Sequence, residues 1–134
     1  MRALLIASAA LACAGCAADA QRTADIRERG AREFAEATKD RVAGAPNDCI
    51  SLQRTGGPQI VSPDTLIYRD GSTLWVTRVQ GCTFLDDNDL VVSRVFGSQL
   101  CRNDQFRTLQ RGTSSIPGPI CRYGNFTPYR RQTG

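Results

Sequence analysis

Four cysteines in the last two-thirds of the chain are the residues with the most chemistry to offer: Cys49, Cys82, Cys101 and Cys121. The gaps between them contain no Cys-x-x-Cys pair of the kind that structural zinc sites use, so a four-cysteine metal site is disfavoured. In a small exported domain, four cysteines most simply form two disulfides. Three pairings are possible from sequence alone. Strands that simply alternate up and down would favour Cys49 with Cys101 and Cys82 with Cys121.

Histidine is absent from the whole sequence. This absence removes Ser-His-Asp and Cys-His catalysis and every histidine-containing zinc site. Among the remaining nucleophiles, Cys49 directly follows Asp48, whose negative charge disfavours a reactive thiolate. The serines of residues 113–119 have no base partner. The sequence therefore predicts a protein that is not an enzyme and needs no cofactor; an enzyme using a free thiol or carboxylates is the alternative.

Two further groups of residues are candidate ligand sites. Arg102-Asn103-Asp104 together with Arg122 would form an anion-binding rim, unless these arginines are solvated or paired with carboxylates such as Asp104. Asp86-Asp87-Asn88-Asp89 suggests calcium, but it lacks the central glycine and the twelfth-position glutamate of an EF-hand loop. That stretch is predicted to be a polar turn.

The N-terminal residues are typical of a segment that directs export. Met1-Arg2 is a short positive region, and residues 3–14 are an apolar run that suits a signal peptide and is too short to span a bilayer. The run leads into a pattern like a bacterial lipobox, in which Cys16 is the preferred lipidation site and Cys13 the alternative. Ordinary secretory cleavage after Ala20, without a lipid, is a second alternative.

The predicted location is the cell envelope. A lipidated Cys16 would hold the chain on a membrane, facing the periplasm. The residue after it is Ala17 and not Asp, which by the sorting rule of enteric bacteria favours the outer membrane. The formal net charge of +4 is too small to indicate nucleic-acid binding without a basic patch or motif. The expected partners are therefore the membrane, through the anchor, and an envelope protein or glycan.

After the signal peptide of residues 1–16, residues 17–47 are predicted to be a charged helical linker. Opposite charges recur four positions apart, which favours a solvated helix, while Gly30 costs it about 1 kcal/mol relative to alanine. The helix is expected to run to Val42 and to stop at Gly44-Ala45-Pro46-Asn47. It would act as a spacer, or alternatively pack on the following domain through Phe34.

Residues 48–131 are predicted to form an all-β domain, a small disulfide-stapled antiparallel barrel or sandwich. Asp70-Gly71 between two β-rich runs predicts a two-residue hairpin turn that places Tyr68 opposite Thr73. One face of this hairpin then carries Leu66, Tyr68, Thr73 and Trp75. The opposite face is also apolar, which is typical of a closed or covered sheet.

Several motifs of this domain occur in the order that characterises a known group of proteins. The motifs are Asn47-Asp48-Cys49-Ile50, Gly81-Cys82, Gly97-Ser98-Gln99-Leu100-Cys101-Arg102-Asn103-Asp104 and Cys121-Arg122-Tyr123-Gly124-Asn125-Phe126-Thr127-Pro128. Together they resemble an uncharacterised family of small proteobacterial envelope proteins, many of them predicted lipoproteins. The resemblance implies an envelope location and no particular catalytic or binding residue. From the residues themselves, Gly124 is expected in a turn or bulge and Phe126 in the core.

The function that the sequence favours is that of a noncatalytic, lipid-anchored envelope protein, a small β module for binding or structural support. One alternative is an inhibitor of a secreted hydrolase, such as a lysozyme or protease, that presents the loop of residues 113–119. The enzyme with a free thiol or carboxylates is the second alternative.

Overall fold

The structure is a computed structural model that describes residues 2–112 and 116–132, with the backbone alone for residues 2–16. These residues form one helix followed by strands. The helix α1 spans Arg2–Ala37. The strands are β1 (Arg41–Ala43), β2 (Cys49–Ser51), β3 (Gln59–Ser62), β4 (Thr65–Asp70), β5 (Thr73–Gln80), β6 (Asp89–Ser93), β7 (Gln99–Cys101), β8 (Gln105–Gln110) and β9 (Ile120–Arg131).

The main sheet is antiparallel and curls into a half-barrel, which confirms the predicted fold class. Its strand order is β3-β4-β5-β9-β8-β6, and β1 also pairs with β9. The long strand β9 lies at the centre: one edge pairs with β5, while the other pairs first with β8, then with Asn47 opposite Phe126, and finally with β1. Three separate segments therefore satisfy the backbone groups of a single strand edge.

The hairpin of β4 and β5 has a register two residues away from the predicted one. The sequence predicted that Thr73 pairs with Tyr68, but in the structure Thr73 pairs with Asp70. The two residues of the turn are therefore Gly71 and Ser72. Gly71 has a φ of 57°, whereas Ser72 does not have a positive φ. A type II′ turn requires a positive φ only at its first central position, and glycine supplies it there. Because the shift is even, every side chain stays on its predicted face.

The main core lies on one face of the curled sheet, called the inner face here. The small sheet of β2 and β7 covers this face with Ile50 and Leu100, which are buried. Phe126 is fully buried in this core, as predicted. The buried residues of the inner cluster are Ile50, Leu66, Tyr68, Trp75, Val79, Cys82, Leu85, Leu100, Phe106, Cys121, Tyr123 and Phe126.

The opposite face, called the outer face, is covered in part by α1. Phe34 packs edge-on against Tyr129 with ring centroids 5.8 Å apart, beside a second buried cluster of Val61, Ile67, Leu74 and Val76. The alternative in which Phe34 packs the helix on the domain is therefore confirmed. The helix also ends earlier than predicted, at Ala37, because Asp40 adopts a φ of 58° and turns the chain into β1.

Two disulfides fasten the domain, and the favoured pairing is confirmed. Cys49 bonds to Cys101 across the paired strands β2 and β7, and Cys82 bonds to Cys121 of β9. They close loops with sequence separations of 52 and 39 residues. Loops of this size correspond to roughly 4 kcal/mol of stabilisation each in the chain-entropy view.

A β-bulge interrupts the pairing of β5 with β9, and Gly124 lies in it. Thr77 pairs with Phe126 while Val79 pairs with Tyr123, so β9 has one residue more than β5 between these pairs. A Cβ atom on Gly124 would lie 2.4 Å from the carbonyl oxygen of Arg78. Only glycine permits this close approach, which confirms the prediction of a turn or bulge at this position.

Candidate functional site

The predicted anion-binding rim is divided between two environments. The guanidinium of Arg102 forms an ion pair with Asp48, with 3.2 Å between Nε and Oδ1. Asp48 also accepts a hydrogen bond from the side chain of Asn125 at 2.9 Å. Among the described residues, the side chain of Arg122 donates only to the carbonyl oxygen of Asn103, at 3.4 Å. Arg102 is therefore already engaged with a carboxylate, while Arg122 has no carboxylate partner among the described residues.

Asp104 stabilises the turn that follows β7 and contains Arg102 and Asn103. Its carboxylate accepts a hydrogen bond from the backbone N–H of Cys101 at 2.7 Å, and Asn103 takes a φ of 70°. Backbone bonds from Asn103 to Tyr123 and from Tyr123 to Asp104 attach the turn to β9. The expected alternative of an arginine–carboxylate pair thus applies to Arg102, but with Asp48 as its partner and not Asp104.

Arg122 shares the outer face of the sheet with two arginines that the sequence reasoning did not single out. Arg94 follows β6 and donates its backbone N–H to Gln105, which pairs with Arg122 across β8 and β9. Arg107 lies on the same face in the neighbouring row of paired residues, between Val92 of β6 and Ile120 of β9. All three arginines are exposed, and among the described residues none lies within ion-pair distance of a carboxylate. The sequence signal that would have revealed Arg107 is the alternation of polar and apolar residues in Gln105-Phe106-Arg107, which places Arg107 on the face opposite Phe106.

Exposed aliphatic side chains accompany these arginines. Val92 pairs with Arg107, which in turn pairs with Ile120, so the three form one row across β6, β8 and β9. Val92 and Ile120 are 50% and 46% exposed, and Leu90 is 41% exposed in the next row of the same face. This part of the outer face therefore combines positive charge with apolar surface, and α1 does not cover it.

A chain of hydroxyl groups crosses the core below that surface. The phenol oxygens of Tyr68 and Tyr123 are 2.8 Å apart, and the hydroxyl of Ser93 lies 2.6 Å from that of Tyr123. Burial raises the pKa of Tyr68 and of Tyr123 above the ordinary value of 10.0. Both phenols are therefore neutral at physiological pH. The three hydroxyl groups link β4, β9 and β6 by hydrogen bonds.

An open groove of about 1470 Å³ runs between α1 and the side of the sheet that carries β3. Ile26, Phe34 and Phe84 line it together with the ion pair of Arg78 and Asp64, whose Nη1 and Oδ2 are 3.1 Å apart. Acidic and basic groups both line this groove.

Two other candidates from the sequence were a reactive thiol at Cys49 and the acidic stretch of residues 86–89. Cys49 is in a disulfide and offers no thiolate. In the stretch Asp86-Asp87-Asn88-Asp89, the carboxylates of Asp86 and Asp89 accept hydrogen bonds from the backbone N–H groups of Asn88 and Asp86, as expected of a polar turn. Burial raises the pKa of Asp89.

Two predicted features lie wholly or partly outside the described residues. The side chains of Cys13 and Cys16 are not among them, so lipidation stays a prediction. The proposed inhibitory loop of residues 113–119 is described only from residue 116 onward. In the part of the chain that the structure describes, no helix is both long enough and apolar enough to cross a membrane.

Comparisons of the chain with protein-family profiles, with curated proteins and with solved structures found no match. The resemblance to the envelope-protein family therefore stays a prediction from the motifs.

Proposed function

We propose that this protein is a noncatalytic, lipid-anchored envelope module that binds an acidic partner, with its anchor at Cys16 in the outer membrane and its β domain facing the periplasm. The export signal, the lipobox pattern and the cysteine content of the sequence support this location. A disulfide-fastened domain of this size suits an oxidising compartment, in which both cross-links persist.

The observation that carries the proposal is the attachment of α1 to the sheet. The helix is continuous to Ala37 and contacts the sheet through Gly30 and Phe34. Between Cys16 and Gly30, no described side chain of α1 packs against the sheet as Gly30 and Phe34 do. At 1.5 Å per residue this segment is roughly 20 Å long. An anchor at Cys16 would therefore hold the domain at a defined distance from the lipid surface.

The anchor is tested by the intact mass of the full chain recovered from membranes of a Gram-negative host. We expect a chain that begins at an acylated Cys16, with four thiols that alkylate only after reduction. Cys16→Ser should abolish acylation and membrane retention, whereas the matched control Cys13→Ser should leave both unchanged. An unlipidated chain that begins at Gln21 would refute the anchor.

We propose that the acidic partner contacts the outer face around Arg107 and Arg122. Both arginines are exposed without a carboxylate partner among the described residues, and Val92 and Ile120 supply apolar contact in the same row. Arginine suits this role because its planar guanidinium binds carboxylate or phosphate groups with two hydrogen bonds.

Co-sedimentation of the purified chain with peptidoglycan sacculi, which carry carboxylates, tests this surface. We expect salt-sensitive binding that Arg107→Gln with Arg122→Gln weakens roughly tenfold, as for the loss of two charge-assisted contacts. Arg102→Gln is the matched control, since Arg102 is already paired with Asp48. Equal losses in the two variants would exclude the outer face as the binding surface.

A further inference from the structure

The two outermost strands of the main sheet differ in how their free edges are protected. At one end, β3 has a register irregularity between Ile60 and Ser62, and α1 packs against it at Gly30. Bulges and covering helices are the usual means by which proteins prevent edge-to-edge pairing. At the other end, β6 pairs regularly with β8 over its whole length and contains no proline, lysine or bulge. Among the described residues, the bulge and the covering helix both lie at the β3 edge, whereas the β6 edge has neither and is interrupted only by the buried carboxylate of Asp89 at its start.

The free edge of β6 presents backbone groups in a defined pattern. The bonds from Arg94 to Gln105 and from Arg111 to Asn88 show that even-numbered residues of β6 bond to β8. In an antiparallel pair the residues between them direct their N–H and C=O groups to the opposite side. Val91 and Ser93 therefore direct both groups to the free edge, and no described residue forms a backbone hydrogen bond to them.

We propose that this edge is a dimer interface, in which β6 pairs antiparallel with β6 of a second copy of the chain about a two-fold axis at Val91. This register is self-complementary, as a two-fold interface must be. It bonds Val91 to its own counterpart and lets the N–H of Ser93 donate to the carbonyl oxygen of Asp89 of the second copy, while the N–H of Asp89 stays bonded to the carbonyl oxygen of Asp86. On the outer face it also places the exposed Leu90 of each copy opposite Val92 of the other.

Charge complementarity favours a second copy as the occupant. The residues that precede β6 are acidic, Asp86 and Asp87, and the residue that follows it is Arg94. Antiparallel pairing places Arg94 of one copy opposite Asn88 of the other, within reach of Asp87. The two copies of Arg107, one strand further in on each side, are separated by three strand spacings, roughly 14 Å, which exceeds the screening length at physiological salt. Arg111, which lies opposite Asn88, is two strand spacings or roughly 10 Å from Arg94 of the second copy.

The inference concerns assembly and does not depend on the lipid anchor. An interface built from one short strand on each side is small, so we expect a weak dimer with a dissociation constant on the order of 10 µM. Sedimentation equilibrium of the full chain, in a density-matched nonionic detergent where the chain is lipidated, should show a monomer–dimer equilibrium. A monomer at every concentration up to about fiftyfold above that value would overturn the proposal.

Charge reversal tests the register. Asp87→Arg or Arg94→Asp alone creates two like-charge pairs in each dimer and should weaken dimerisation roughly ten- to thirtyfold, whereas the double variant should restore it. Arg69→Asp is the matched control, since Arg69 is exposed on the outer face of β4, far from β6 in the sheet, and it should leave dimerisation unchanged.

Val91→Pro tests the backbone contact separately. It removes an N–H that β8 does not use, so the fold should persist while the dimer is lost. The result expected from these experiments is a dimer that Val91→Pro abolishes and that the double charge reversal rescues. A dimer insensitive to Val91→Pro and to the single charge reversals would place the interface elsewhere and refute the inference.

Discussion

The close contact at Gly30 provides a direct test of whether α1 is part of the folded domain. A Cβ atom at this position would lie 2.6 Å from the Cβ of Ser62 and 2.9 Å from the carbonyl oxygen of Val61. Both obstacles belong to or adjoin the backbone of β3, so they cannot rotate away as the end of a long side chain can. Gly30→Ala should therefore move the helix away from the sheet.

Two opposing contributions set the size of the effect. Alanine in place of glycine in a helix interior stabilises the helix by about 1 kcal/mol. Forcing an extra methyl group into a filled contact costs about 1–3 kcal/mol. A displaced helix would also weaken the contact of Phe34 with Tyr129. We therefore expect Gly30→Ala to lower the free energy of unfolding by about 1 kcal/mol, which is the difference between these contributions.

Urea unfolding of the full chain measures this change with two probes. Trp75 is the sole tryptophan and is 7% exposed, so its fluorescence reports on the sheet, while circular dichroism at 222 nm reports on the helix. Ala31→Gly at the exposed neighbouring position is the control for helix propensity. If propensity alone acted, the two substitutions would shift the midpoint in opposite directions; the docked helix predicts that both lower it. A midpoint that rises or stays unchanged for Gly30→Ala would refute the reasoning.

Three further predictions concern the β domain. Tyr123→Phe removes the hydroxyl that connects the buried hydroxyl of Tyr68 with the part-buried hydroxyl of Ser93, and should destabilise the fold by about 1–3 kcal/mol in urea unfolding; an unchanged midpoint would count against the network. Dithiothreitol should reduce the half-buried Cys49–Cys101 bond before the buried second disulfide, as measured by alkylation and peptide mass, and the reverse order would contradict the burial argument. Partial burial raises the pKa of Asp64, but hydrogen bonds and the charge of Arg78 outweigh it and lower that pKa below 3.8. Its carboxylate thus adds stability above about pH 4 that is lost as the pH falls through the lowered pKa. Asp64→Asn should therefore lower the melting temperature at pH 7 and lower it by less as the pH falls below about 4, and a difference in thermal unfolding that does not shrink with falling pH would contradict this.

Local patterns were sufficient for features that depend on neighbouring residues. Alternation along the strands correctly assigned side chains to the two faces of the hairpin, and the favoured disulfide pairing followed from an alternating order of strands. The turn itself was displaced because Asp70-Gly71 and Gly71-Ser72 are adjacent two-residue turns that share the same glycine. Only the backbone conformation of Gly71 and Ser72 distinguishes a type II′ turn from a type I′ turn.

Features that depend on residues distant in sequence required the tertiary structure. From the sequence, Gly30 was only a weak point in a helix, whereas in the fold it is the position where α1 contacts β3. Asp104 was the nearest candidate partner for Arg102 along the chain, yet the partner is Asp48 because β2 and β7 lie side by side.

By itself, the sequence determined the all-β class, the existence of a helical segment before it, the faces of the strands and the cysteines available for cross-linking, because periodicity and composition act over a few residues. Tertiary structure alone decided where the helix ends and docks, which carboxylate neutralises Arg102, and which sheet edge stays open at β6. Those outcomes depend on which distant segments pack together, and the pairing of strands and the close approach of backbones are set by the whole fold.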